Sequence, residues 1–172
     1  MDVDLGDVVS SLERTPALLR AVFRRLPEPW ERCHEGAGTF SPLDVLGHLI
    51  HGEETDWVPR VVLIREQGEA RPFTPFDRLA FRAKYADWPS EALVERFALL
   101  REGNIERIRD LTPVDLERTG LHPEFGRVTL AQLLAAWVVH DLSHLSQILR
   151  VQAKQFDSAV GPWKAYLRIL QH

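Results

Sequence analysis

The sequence predicts an all-α protein: an antiparallel four-helix bundle with a short extra helix between its second and third helices and a short C-terminal helix. Three observations carry that expectation. Four stretches repeat apolar residues at helical spacing, prolines, glycines and capping hydroxyls punctuate them, and no strand-like alternation or internal repeat of useful length intervenes. With 172 residues, 45% hydrophobic and 27% charged, the chain suits one domain, residues 1–172, large enough to fold without disulfide or metal staples.

In the first stretch Leu5, Val8, Leu12, Leu19, Val22, Phe23 and Leu26 share a face, and Pro27 and Pro29 end it because neither ring donates a helical hydrogen bond. Pro16, inside it, predicts a kink. The second stretch starts at Ser41 and Pro42, a capping hydroxyl followed by a residue whose missing N–H is harmless at the first helical position. It runs to about Glu66, with a kink or a break near Trp57 because Pro59 intrudes. From Gln67 to Pro89 the pattern loosens, and a short helix around Phe76 to Tyr85 is expected to lid one end of the bundle.

Ser90 is placed to cap the third helix, whose face is Leu93, Val94, Phe97, Leu100, Ile105 and Ile108 and which ends before Thr112 and Pro113. A linker with Gly120, Pro123 and Gly126 leads to Thr129 and Gln132, spaced as a capping box for the fourth helix. That helix continues to Val151 through Leu130, Leu133, Leu134, Trp137, Leu145 and Ile148. Ser158 to Leu170 reads as a short terminal helix broken in by Gly161 and Pro162.

The net charge of −4 is spread over interleaved acids and bases, so there is no basic stripe and nucleic acid is not expected as a partner. A lone cysteine, Cys33, cannot form an internal disulfide, the N-terminus lacks a leader pattern, and no apolar run approaches the roughly 18 residues that span a bilayer. The expected setting is the cytoplasm, away from membranes. Cys33 and His34 are adjacent and diverge in direction, so they make no nucleophile pair, and Cys33 reads as structural.

Chemistry concentrates on the fourth helix. His140 and His144 are four residues apart, so both rings project from one face and can share a metal ion. A catalytic site needs a third ligand and an open position; the candidates are His48, His51 and Glu54 on the second helix, and periodicity alone does not choose His48. Asp141 falls inside the apolar stripe and must be paired, with a histidine N–H or a backbone amide as the natural partner. Glu53 falls toward the apolar side of its helix and Gln147 lies in the polar row of the histidines. Asp141, Gln147 and Glu53 are therefore candidates to orient the rings or a substrate. His140 to His144 does not make a metalloprotease helix: Asp141 is one methylene shorter than the glutamate base, and no Glu follows from Leu145 to His172. His34, His122 and His172 read as solvated, and the five tryptophans as core or cleft walls.

The segments TFSPLDVLGHLIHGEE, from Thr39, and VTLAQLLAAWVVHDLSHLSQ, from Val128, resemble those of the DinB/YfiT-like superfamily, and the ending GPWKAYLRIL is similar to endings in that family. The resemblance implies a four-helix bundle in which His48, His140 and His144 bind a divalent ion, often nickel or zinc, with iron or manganese as further options. It also implies a thiol-dependent transferase or isomerase, with a small-molecule substrate and a low-molecular-weight thiol as cosubstrate. Metal-dependent hydrolysis is the competing chemistry, and a non-catalytic metal-binding or scaffold bundle linked to stress response is the alternative from another class. Exposed aromatic ends of such a bundle would suit pairing as a homodimer.

Overall fold

The computed structural model describes residues 3–171, and its helices follow the punctuation in the sequence. Helix α1 spans Leu5–Phe23, capped by the Asp4 carboxylate, and a single turn, α2, spans Glu28–Glu31. Helix α3 (Pro42–Thr55) opens with a capping box in which Ser41 and Asp44 each satisfy the other's backbone N–H. At Asp56 the chain breaks and restarts as α4 (Trp57–Gln67), the break that Pro59 predicts. The short helix α5 is confined to Phe81–Tyr85. Helix α6 (Ser90–Glu106) has Pro89 rather than Ser90 at its cap position, so the expected hydroxyl cap is absent; the Ser90 hydroxyl donates to Glu31 instead. A turn of helix, α7 (Pro113–Leu116), precedes α8 (Leu130–Lys154), which starts with the Thr129–Gln132 capping box. The C-terminal segment forms two 3-10 turns, Gly161–Tyr166 and Arg168–Leu170, in place of one α-helix.

One element is new. The linker before α8 holds an antiparallel hairpin, β1 (Thr119–His122) with β2 (Gly126–Thr129), in the register Thr119 to Thr129 and His122 to Gly126. Four-residue strands are too short for alternation to stand out in sequence. Gly120 lets β1 approach the core, since a Cβ there would sit 2.8 Å from the Phe73 ring and 2.7 Å from Ile64.

The four long helical stretches make the bundle: α1 packs on α6 and α8, and α3 packs on α6 and α8. The apolar core is divided into two clusters, one around Leu12, Val61, Ile105 and Trp137, the other around Leu19, Ile50, Phe97 and Leu145. The order in which each helix crosses them fixes its direction. Helices α1 and α8 pass from the first cluster to the second, α3 and α6 from the second to the first. The bundle is thus antiparallel across α1·α6 and α3·α8 and parallel across its other two faces, which the long connections before α3, α6 and α8 allow. Among the described residues no helix is long and apolar enough to cross a membrane.

Candidate metal centre

Between the two apolar clusters every bundle helix turns a polar side chain inward: Thr15 from α1, Glu53 from α3, Arg101 from α6 and Asp141 from α8. Arg101 is only 1% exposed and joins the layer, with Nη2 2.8 Å from Glu53 Oε1 and Nη1 2.6 Å from Asp141 Oδ2. Thr15 Oγ1 donates to Asp141 at 2.7 Å, Trp137 Nε1 to Glu53 at 2.9 Å, and Asn104 Nδ2 to Glu53 Oε2 at 3.0 Å. The guanidinium also lies over the rings of Phe97 and Trp137. Burial by itself would lower the Arg101 pKa, but Glu53 and Asp141 together hold it above its ordinary value.

Asp141 is therefore paired, but with a guanidinium and a hydroxyl, not with the histidine N–H or backbone amide expected from sequence. Glu53 likewise turns to Arg101, Asn104 and Trp137, and neither carboxylate bonds a histidine ring. Arg101 itself carried a signal that sequence reasoning passed over. It stands four residues after Phe97 and four before Ile105, inside the apolar stripe of α6, where an unpaired charge would be prohibitive.

Beside this layer, His48, His140 and His144 converge. Nε2 of His140 lies 3.2 Å from Nε2 of His48 and 3.2 Å from Nε2 of His144, and the three candidate ligand atoms all fall within 4.8 Å of one another. His140 and His144 meet because of their helical spacing. His48 joins them because α3 is buried almost all round: Val45 to Ile50 are covered on the far side by α5, with Gly47 so close to Phe81 that a Cβ would stand 2.7 Å from the ring. Phe40, Phe76 and Phe81 surround the His48 imidazole, and Trp57, stacked on Trp137 at 5.6 Å, sets its edge against His140.

Burial drives all three rings toward the neutral form, His48 to about 4 and His140 to about 3, with His144 also lowered. A neutral ring nitrogen is either donor or acceptor, so Nε2 of His140 must serve both neighbours in the same sense. A shared cation resolves that conflict by accepting three lone pairs at once. Nitrogens bound at about 2.0–2.1 Å to one ion stand about 2.9–3.4 Å apart between octahedral and tetrahedral angles, and the two 3.2 Å contacts fall in that interval. Gln147 Oε1 lies 2.9 Å from His144 Nδ1, fixing the tautomer that leaves Nε2 free. Nδ1 of His48 and of His140 is buried without a hydrogen-bond partner.

The rival ligands stand apart. His51 stacks on Phe76 and places Nε2 3.5 Å from Thr55 Oγ1, and Glu54 is held by Lys84 at 2.5 Å and Arg96 at 2.8 Å. His34 is exposed, with Nδ1 3.0 Å from Thr39 O, while His172 lies outside the described residues. Cys33 is partly buried, and its thiol donates to Trp30 O.

His122 departs from the solvated reading. It ends β1, stacks on Phe125 at 4.3 Å and lines a cleft of about 520 Å³ whose wall includes all three clustered histidines. Asp56, Arg60 and Arg78 line the same cleft and went unnoticed in the sequence, because no local pattern separates a cleft-lining charge from a solvated one. Asp56 holds Arg60 at 2.7 Å, and burial pushes its carboxyl up to about 6 against the pull of that arginine.

A match to the DinB superfamily spans residues 11–148, from within α1 through the histidine-bearing part of α8. The chain belongs to the DinB superfamily. A protein of Oceanobacillus iheyensis, provisionally named a metal-dependent hydrolase, is 22% identical over 148 residues, covering 86% of this chain and 85% of that one. YfiT from Bacillus subtilis, described as a probable metal-dependent hydrolase with an unusual four-helix bundle topology, superposes with a TM-score of 0.77. At 19% identity over 88% of this chain and 87% of YfiT, that likeness is one of fold. This DinB-superfamily chain shares its bundle fold with YfiT.

Proposed function

We propose that the protein is a metal-dependent hydrolase in which His48, His140 and His144 hold a divalent ion. One observation carries the reading: three neutral imidazoles aim their Nε2 atoms at one another on the wall of an open cleft. Among the described residues the cluster stops at three ligands, which suits a catalytic site that keeps positions open, whereas a structural site is closed by a fourth protein ligand. Glu54, a candidate on α3 for that fourth place, is instead held by Lys84 and Arg96. A divalent ion bound there supplies Lewis acidity to a carbonyl or phosphoryl oxygen and lowers the pKa of water toward neutrality. The chain's own part is to present unprotonated rings at pH 7, to orient His144 through Gln147 and to wall the reaction with Trp57 and Phe76. The relatives' names favour hydrolysis over transfer to a thiol, which would use the same ligands with a different nucleophile.

Metal analysis of protein purified without a histidine tag tests the reading. Wild type is expected to carry about one equivalent of a divalent ion and His144→Ala almost none. Equal metal in the two samples would remove the foundation of the proposal. With metal present, activated esters, amides and phosphoesters are assayed against a low-molecular-weight thiol with an electrophile; turnover of the second set alone would replace hydrolysis by thiol transfer.

A further inference from the structure

The cleft holds two guanidinium groups that metal binding does not use. Arg60 is bound by Asp56 through Nη2, yet its Nε is buried without a hydrogen-bond partner, and its guanidinium lies 5.2 Å over the ring of Phe73. Arg78 sits in the turn before α5, is exposed, and has no ion pair among the described residues. Its backbone lies close to the His48 ring, and its charge is felt at His48 and His144. The remaining wall is flat and apolar: Trp57, Phe76, Phe125, Pro75 and Pro123.

Arg60 and Arg78 are matched in number by Asp56 and Glu124, and the three imidazoles are neutral, so a divalent ion would leave the cleft with a net positive charge. A lone guanidinium next to a metal site is repelled by the ion unless an anion comes between them, and a planar arginine fork is built to take a carboxylate or phosphate in two hydrogen bonds. We propose that Arg78, assisted by the unpartnered Nε of Arg60, forms an anion subsite for a small substrate bearing a carboxylate or phosphate on a flat apolar body. The acidic group rests on the arginines, the body lies against Trp57 and Phe76, and the reacting end faces the histidines. This inference deepens the metal-dependent reading and rests on it for the orientation of the substrate.

The test uses the full chain, once loaded with zinc and once stripped of metal, titrated by NMR or calorimetry with benzoate, phenyl phosphate and the neutral benzyl alcohol. At least one of the two anions is expected to bind ten times or more tighter than benzyl alcohol, and the tighter of the pair identifies the acidic group. Arg78→Gln, a change at an exposed position, is expected to cut that affinity about tenfold while zinc uptake and thermal midpoint stay at the wild-type level. In metal-free protein the anion binds more weakly but keeps its dependence on Arg78. Benzyl alcohol binding as tightly as both anions, or an Arg78→Gln effect below twofold, would overturn the subsite even with zinc uptake intact. Failure to take up zinc would instead sink the metal reading and leave the metal-free arm to decide the subsite.

Discussion

The carboxylates that hold Arg101 and the three histidines beside them hang from the same helices, α3 and α8, yet only the ionic group is satisfied by the chain itself. Arg101 has its five N–H donors spent on Glu53, Asp141 and Leu12 O, and both carboxylates gain further donors from Thr15, Asn104 and Trp137. The histidines have no such closure: two Nδ1 atoms are buried without partners, and one Nε2 must serve two neighbours. A polar layer that is complete serves to fix helix register, as a buried network does when each member is paired. A polar cluster that is incomplete, at the wall of a cleft, calls for a ligand from outside.

The largest way to break this contrast is Arg101→Met. It strands Glu53 and Asp141 between the two apolar clusters and is expected to cost about 3–5 kcal/mol in urea unfolding. If the variant still folds and takes up zinc like wild type, the ionic layer is a structural element alone; a parallel loss of zinc affinity would show that it also sets the spacing of α3 and α8.

Acid distinguishes the two groups next. Burial holds His48 at about 4 and His140 at about 3, below the 6.5 of an unfolded histidine, so the unfolded chain binds more protons throughout that interval. Stability of the metal-free protein is therefore fully present above pH 6.5 and is lost as pH falls toward the folded values. The part due to His48 alone is about 3 kcal/mol. Asp56, whose carboxyl is raised to about 6, takes up a proton on folding in the same window and offsets part of that loss. The histidine part is therefore read in Asp56→Asn protein, whose urea midpoints should fall steadily from pH 7 down to 4; midpoints that stay level in that variant would mean that the rings are solvated.

Two smaller changes sharpen the contrast one hydrogen bond at a time. Gln147→Leu frees Nδ1 of His144 and is expected to weaken zinc binding about 10- to 100-fold in a calorimetric titration, with little change in the metal-free melting temperature. Thr15→Val removes one donor from Asp141 while Arg101 stays in place, and is expected to lower stability by about 1 kcal/mol and leave zinc affinity unchanged. The opposite pattern, with Gln147→Leu silent toward zinc and Thr15→Val affecting it, would reverse the roles assigned to the two clusters.

Local chemistry made much of the fold legible in the chain. The Thr129–Gln132 box, the Ser41–Pro42 start and the break before Trp57 are set by groups within a few residues of one another. The pairing of His140 with His144 is of the same kind, since helical geometry alone brings positions four apart onto one face. Only the tertiary structure decided the rest. His48 lies off the apolar face of an ideal helix and becomes part of the cluster because α5 buries the other side of α3. Arg101 finds its carboxylates on two other helices, α1 runs parallel to α8, and the hairpin brings His122 to the cleft, all through contacts between residues far apart in sequence. Periodicity reports which face of a helix avoids water, but the identity of what meets that face depends on how helices are arranged around one another, and their long connections leave that choice to packing.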